Sequence, residues 1–278
     1  MSRTVLVTGA STGIGRATAL LLDGHGFTVF AGVRKREDAA SLAAEASERL
    51  TPLILDVTKP ADIAKAARDI TKAVGAAGLD GLVNNAGTAH AAPLEFVPLQ
   101  SFRDQMEVNL VGQLAVTQAL LPLLRVAKGR IVNVTSIGGL IAGTMLGPYN
   151  ASKFALEAVT HVLRQELAPW GIKAIAIEPG QIATPIWATS SNRSDELVTP
   201  EATALYSDKI AGARRMATNA AANGLPAIEV AKVIEKALTA KKPKTRYAVG
   251  TDAKLGSTII ARLPDHTRDR IFAGRRKK

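Results

Sequence analysis

"TVLVTGASTGIGRATALLL", residues 4–22, decides how the chain is read. An apolar β-branched run (4–8) leads into three glycines, Gly9, Gly13 and Gly15, and then into an Ala- and Leu-rich stretch with helical spacing. The pattern predicts a strand, a tight turn and a helix. Backbone without side chains can approach a pyrophosphate closely, and the helix amino terminus offers it free N–H groups and a partial positive charge. The spacing is G-x-x-x-G-x-G rather than the commoner G-x-G-x-x-G, and such turns also serve only to pack a helix on a strand. The rest of the chain has to decide between these readings.

Further along, the alternation repeats. "TVFAGV" (28–33), "PLILDV" (52–57), "LDGLVNN" (79–85), "RIVNVTS" (130–136), "IKAIAIEP" (172–179) and "RYAVG" (246–250) read as strands separated by helical segments such as "AASLAAEASERL". Strand–helix alternation makes neighbouring strands parallel, so the expected fold is α/β: a Rossmann-type doubly wound sheet of about seven strands with helices on both faces. Residues 1–278 are expected to form a single dinucleotide-binding and catalytic domain. Ligands in such a sheet sit beyond the carboxyl ends of the strands. Residues 185–225, polar and rich in small residues, read as a mobile loop over that edge. Its apolar members Ile186, Trp187, Leu197, Leu205, Tyr206, Ile210 and Met216 would wall a substrate.

The 278 residues are 47% hydrophobic, enough for a large core. Cysteine is absent, which excludes disulfides and thiolate metal sites and fits a cytoplasmic protein. The start carries no export-signal pattern, and no uninterrupted apolar run reaches the length of a membrane span, so a soluble protein is expected. Of the net charge of +11, +9 falls in residues 241–278, where 12 Lys and Arg face 3 Asp; residues 1–240 carry +2. This basic carboxyl-terminal segment, ending "AGRRKK", is solvated terminal charge or a peripheral contact with anionic membrane. Only Phe272 is aromatic near the terminal cluster, so no base-stacking platform for nucleic acid is expected.

Chemistry-bearing residues cluster at the expected ligand edge. Arg34, at the tip of the second strand, would pair with a 2′-phosphate and favour NADP(H) over NAD(H), where a carboxylate would do the reverse. Asp56, read as ending the third strand, would accept from an adenine amino group or cap the helix starting near Pro60. Tyr149 and Lys153 are four apart in "YNASKFALEAVTHVLRQEL", hence on one helix face, where an ammonium would lower the tyrosine pKa into a usable range. Ser136, ending the fifth strand, could hydrogen-bond a substrate oxygen. His90 and His161 have no neighbours in sequence that would make a metal site, and none is called for.

Together these motifs resemble the classical short-chain dehydrogenase/reductase family. "TGASTGIG" (8–15) matches its cofactor turn, "NNAG" (84–87) its fourth-strand motif, "PGQIAT" (179–184) its loop after the sixth strand, and Ser136 with "YNASK" (149–153) its catalytic signature. The resemblance implies that Tyr149 is the acid/base, that Lys153 lowers its pKa and binds the nicotinamide ribose, and that Ser136 orients the substrate oxygen. Asn109 would complete a tetrad by holding a water that links Lys153 to solvent. The cofactor would lie on Gly9, Ser11, Thr12, Gly13, Ile14 and Gly15, with Asp56 and Val57 at the adenine, Asn85, Ala86 and Gly87 along the adenosine and ribose, and Ile182 and Thr184 at the carboxamide. A weaker likeness of residues 29–35, 243–255 and 261–265 to the retinol and hydroxysteroid dehydrogenase branch implies a lipophilic alcohol or ketone. Apolar residues on several faces of helices at 99–126 and 150–168 suggest a homodimer or homotetramer. The alternatives are an NAD-dependent dehydrogenase, an epimerase or dehydratase, and a nucleotide-sensing regulator on the same fold.

Overall fold

The computed structural model describes residues 2–186 and 194–272. Trp187 and the terminal "AGRRKK" lie outside the described residues. Six strands follow in chain order: β1 (Thr4–Val7), β2 (Thr28–Val33), β3 (Leu50–Ile54), β4 (Gly81–Asn84), β5 (Arg130–Val134) and β6 (Lys173–Pro179). The two-residue strands β7 (Ile182–Ala183) and β8 (Leu225–Pro226) pair with each other, and β9 (Arg246–Val249) completes a seven-stranded parallel sheet in the order β3-β2-β1-β4-β5-β6-β9.

Side chains alternate across this sheet. Val5 and Val7 point to one face, into a core with Ala19 and Leu22 of α1 (Gly13–Gly24) and with Val230 and Ile234 of the helix Ala227–Thr239. Leu6, between them, points to the other face and packs with Ile70 of α3 (Pro60–Val74) and with Leu120 and Leu124 of α5 (Gly112–Ala127). Burial on both faces is why these strands are continuously apolar rather than alternating, and each such aliphatic side chain stabilises by about 1.5–3 kcal/mol.

The chain winds outward from β1 to β3, through α1 and α2 (Arg36–Ala43), then crosses back to β4 beside β1. That reversal opens a crevice at the carboxyl ends of β1 and β4. The glycine turn follows β1 there, and residues 85–87 follow β4.

Three sequence expectations are corrected. β3 ends at Ile54, not residue 57, because the Asp56 carboxylate accepts from Thr58 N (3.0 Å) and Thr58 Oγ1 (2.8 Å) and closes a turn in place of the strand ladder. β5 ends at Val134, and Ser136 lies beyond it as the cap of a 3-10 turn, its Oγ accepting from Gly138 N at 2.9 Å. Residues 185–225 are not simply a loop: Pro200–Asn223 is a helix, started by Thr199 accepting from Ala202 N at 3.1 Å and kinked at Tyr206. Its many alanines, read as small and mobile, are strong helix formers.

The helix from Leu99 to Ala127 is, by length and composition, apolar enough to cross a membrane, although charged and polar residues interrupt its apolar runs. Part of that apolarity faces the protein, with Val116, Leu120, Leu123 and Leu124 in the core, while Leu99, Val111 and Val126 are exposed.

Candidate active site

The glycine turn is built for close approach. Gly9 (φ 65°) and Gly13 (φ 56°) adopt the left-handed backbone that glycine alone takes without strain. Gly15 is bare for a different reason: a Cβ there would stand 2.2 Å from the Gly9 carbonyl oxygen and 2.4 Å from Asn85 Nδ2. That amide donates to Thr8 O and Gly9 O, both at 3.0 Å, so the Asn85 side chain clamps the turn rather than facing along it. The Thr8 hydroxyl accepts from the Asn85 and Ala86 N–H groups at 3.0 and 3.1 Å. Thr8 had no signal of its own in the sequence.

At the start of α1, Thr12 is extended, its side chain does not cap the helix, and the first turn holds no acidic residue. The amino-terminal N–H groups of Gly13 and Ile14 thus have no side-chain oxygen against them, as a diphosphate requires. Thr184 lies against this turn, 3.2 Å from where a Gly13 side chain would begin, which brings the Ile182–Thr184 segment to the same place. Replacing Gly15 by Ala is expected to lower stability by about 1–3 kcal/mol and to weaken nicotinamide-cofactor binding at least as much, read by thermal melting and fluorescence titration. Unchanged binding would remove the turn from that role.

Arg34 follows the last residue of β2 and is exposed. Asp56 lies opposite: burial pushes its carboxyl up, but Thr58 and the Arg34 and Lys59 cations more than offset this and hold it below the usual carboxylate range. It does not cap α3, whose preceding residue is Lys59. Val57 is buried, and its carbonyl oxygen occupies the space a Gly112 side chain would need.

Tyr149 and Lys153 sit one turn apart on α6 (Gly147–Glu166), with Lys153 Nζ 5.8 Å from the centre of the Tyr149 ring. Lys153 is buried and donates to Val134 O at 2.9 Å, at the end of β5. Burial pushes its ammonium down to about 8, with Glu157 pulling the other way. The Tyr149 phenol is pushed up by burial, while its contact with the Ser136 hydroxyl pulls it down. Lys153 is not among the groups that shift the phenol, so the lowering expected from their four-residue spacing does not occur among the protein groups alone: burial dominates and the phenol stands above its ordinary value.

Asn109 is fully buried in a π-helical segment, Glu107–Val111, that interrupts the helix between α4 (Leu99–Met106) and α5. Its Oδ1 accepts from Thr88 N at 2.8 Å, and its Nδ2 donates to Thr88 O at 2.9 Å and Ser152 Oγ at 3.0 Å. Asn109 thus joins the loop after β4 to α6 beside Lys153, and Gly87 lies between them, 3.4 Å from Asn109 Oδ1 and 3.8 Å from Lys153 Nζ by the position of an added Cβ.

The expected substrate wall is only partly assembled. Ile210 is buried and lines a small recess with Ala91, Met145, Val198 and Ala213, whereas Leu205 is 68% exposed. The Tyr206 hydroxyl donates to Glu95 Oε2 at 2.7 Å, and its ring meets Phe96 edge-on, tying the helix to the segment after β4. His90 is buried and His161 is exposed beside Arg246.

Residues 3–195 match the family model described as short chain dehydrogenase. The chain is 36% identical over 275 residues to an NADPH-dependent 3-dehydrocapnine reductase of Ornithobacterium rhinotracheale, covering 97% of this chain and 96% of the relative. It is 38% identical over 277 residues to retinol dehydrogenase 5 of Mus musculus, covering 96% and 87%. A solved short-chain dehydrogenase from Streptomyces avermitilis superposes with a TM-score of 0.78 at 30% identity, over 92% of this chain and 91% of that one. The chain belongs to the short-chain dehydrogenase/reductase family, with a resemblance to its retinol dehydrogenase branch, and is an NAD(P)-dependent oxidoreductase.

Proposed function

We propose that the protein transfers a hydride between NADP(H) and a primary or secondary alcohol or its carbonyl, with a lipophilic substrate, using Asn109, Ser136, Tyr149 and Lys153. The observation that carries this reading is the buried group at the end of β5, where Ser136 contacts the Tyr149 hydroxyl and the Lys153 amine lies one helical turn further on. The bound nicotinamide supplies and receives the hydride. Its diphosphate would lie on Gly9, Ser11, Thr12, Gly13, Ile14 and Gly15, its adenosine near Arg34, Asp56, Val57, Ala86 and Gly87, and its carboxamide near Ile182 and Thr184. Asn85 holds the turn from below.

Within the site Ser136 orients the substrate oxygen and Tyr149 gives or takes the proton there. Lys153 supports the phenolate with a positive charge that is present below about pH 8. Asn109 holds the framework behind the lysine.

NADP(H) is favoured over NAD(H) by the exposed Arg34 and by the NADPH-dependent relative, and a lipophilic substrate by the retinol dehydrogenase relative. A homodimer or homotetramer is supported by Val111, Phe154 and Val162, apolar yet exposed on the outer sides of the 99–127 and 147–166 helices. The chain is read as one domain working in the cytoplasm without a nucleic-acid partner. The basic carboxyl-terminal segment, with Leu255 and Ile259 exposed among its cations, supports peripheral contact with anionic membrane.

The test is a spectrophotometric screen of retinoids, steroids and simple ketones with NADP(H), run in parallel with NAD(H). The expected result is turnover of an apolar alcohol or carbonyl with preference for NADP(H). Cofactor binding without turnover of any of them would favour a nucleotide-sensing regulator instead.

A further inference from the structure

α6 continues past Lys153 to Glu157, four residues on and on the same face. Both side chains belong to residues only 5% exposed. Gly139, in the turn after Ser136, would need its side-chain space 2.9 Å from the Lys153 carbonyl oxygen and 3.1 Å from Glu157 Cγ, so the Glu157 side chain lies against the turn that Ser136 caps. Arg246 on β9 approaches from the far side: its Nη1 is 2.7 Å from Glu157 Oε2 and donates to Glu178 Oε1, on β6, at 2.5 Å. Glu178 is 2% exposed. Two buried carboxylates therefore share one guanidinium.

That sharing leaves an uncompensated charge. With both carboxylates ionised, they and the one guanidinium sum to one negative charge in a region where an unpaired ion costs several kcal/mol. Lys153, one helical turn before Glu157 on the same helix face and equally buried, carries the amine that can balance it. We infer that Glu157 is a positioning residue of the active site: anchored by Arg246, its carboxylate is the counter-charge that keeps the Lys153 amine protonated beneath Ser136 and Tyr149. The inference rests on the proposed role of Lys153 as a cation.

The electrostatics point the same way. Burial depresses the Lys153 ammonium, and Glu157 is the group that opposes it. Burial pushes the Glu157 carboxyl up and outweighs the opposing pull of Thr135, Arg246 and Lys153, so it stands above the usual carboxylate value, and the counter-charge role requires it to be ionised at the working pH. Burial and the neighbouring Glu157 push Glu178 up, and Arg246 opposes them. The other ionisable groups around the pair are Tyr149, His161 and Arg164 on α6 and, less closely, the exposed Arg262, which lines a recess with Glu178 and Arg246; Glu107 of the π segment is exposed.

The test is an NMR titration of the full-length protein carrying 13Cε-labelled lysine, with the Lys153 signal assigned by its loss in Lys153→Met. Glu157→Gln keeps the shape and removes the charge. The Lys153 midpoint is expected to fall by about one pH unit, a roughly tenfold loss of proton affinity, and the alkaline limb of kcat/KM to move to lower pH with it. Glu157→Asp, which keeps the charge, holds the midpoint close to its original value. Glu178→Gln, one strand further from the amine, shifts it much less. Glu157→Leu gives the same fall as the glutamine variant and replaces it if that protein does not fold. An unchanged midpoint in Glu157→Gln, or an equal fall in Glu178→Gln, overturns the inference. A protein inert toward every alcohol and carbonyl tested would instead sink the functional reading, with the titration still readable.

Discussion

Tyr149→Phe is expected to lower kcat by about 10³-fold, the usual contribution of a positioned proton-transfer group, which corresponds to about 4 kcal/mol of transition-state stabilisation. Cofactor affinity should stay within about threefold, because phenylalanine keeps the ring that Lys153 Nζ approaches at 5.8 Å and removes only the hydroxyl. The two readouts separate chemistry from folding: turnover with the best substrate of the screen, and fluorescence titration of NADPH. A kcat within tenfold of the unmodified protein would take Tyr149 out of the proton-transfer role.

The size of that effect depends on the charge beside the phenol. Burial holds Tyr149 above its ordinary value, so without help it would be almost wholly protonated at neutral pH and a poor base. A cation within about 4–6 Å lowers such a group by roughly 1–3 pH units. In the proposed mechanism Lys153 would be that cation only while protonated, below about 8. Oxidation of an alcohol, which needs the phenolate, therefore gains from rising pH until the amine itself begins to discharge.

The sheet and the juxtaposition of Tyr149 and Lys153 were legible because their signals are local. Apolar β-branched runs buried on both faces read as strands, and a four-residue spacing on a helix places Tyr149 over Lys153 wherever that helix goes. Strand ends were less legible, since β3 and β5 stop where a side chain offers the backbone another partner, Asp56 to Thr58 in one case and Ser136 to Gly138 in the other. The segment 200–223 was misread because small residues look the same in an alanine-rich helix as in a loop. Glu157 and Arg246 carried no signal at all: they are far apart in sequence, and only the pairing of β9 with β6 brings the guanidinium under α6. Asn85 lies at the crevice, where its amide binds the backbone of the glycine turn, which spacing alone does not reveal.

Arg34→Asp is expected to lower the ratio of kcat/KM with NADP(H) to that with NAD(H) by about 10²-fold, since a charge-assisted contact to a phosphate contributes about 1.5–3 kcal/mol and the new carboxylate repels that phosphate as well. The fold leaves the position free to choose. β2 ends at Val33, the Ala10 N–H donates to Gly32 O at 2.8 Å and so ties the glycine turn to this strand end, and Arg34 stands exposed just beyond. Its positive field reaches Asp56, which it helps to keep ionised. Aspartate at 34 would put two carboxylates side by side, raising the pKa of Asp56, and would offer ribose hydroxyls an acceptor in place of a donor. Arg34→Ala removes the attraction without adding repulsion and should lower the ratio by only about tenfold. Raising the salt concentration should weaken NADP(H) binding to the unmodified protein more than to Arg34→Asp, because an exposed ion pair is screened over about 8–10 Å. A ratio unmoved by either substitution would shift the choice of cofactor to the neighbouring Lys35 and Arg36 or to Lys59.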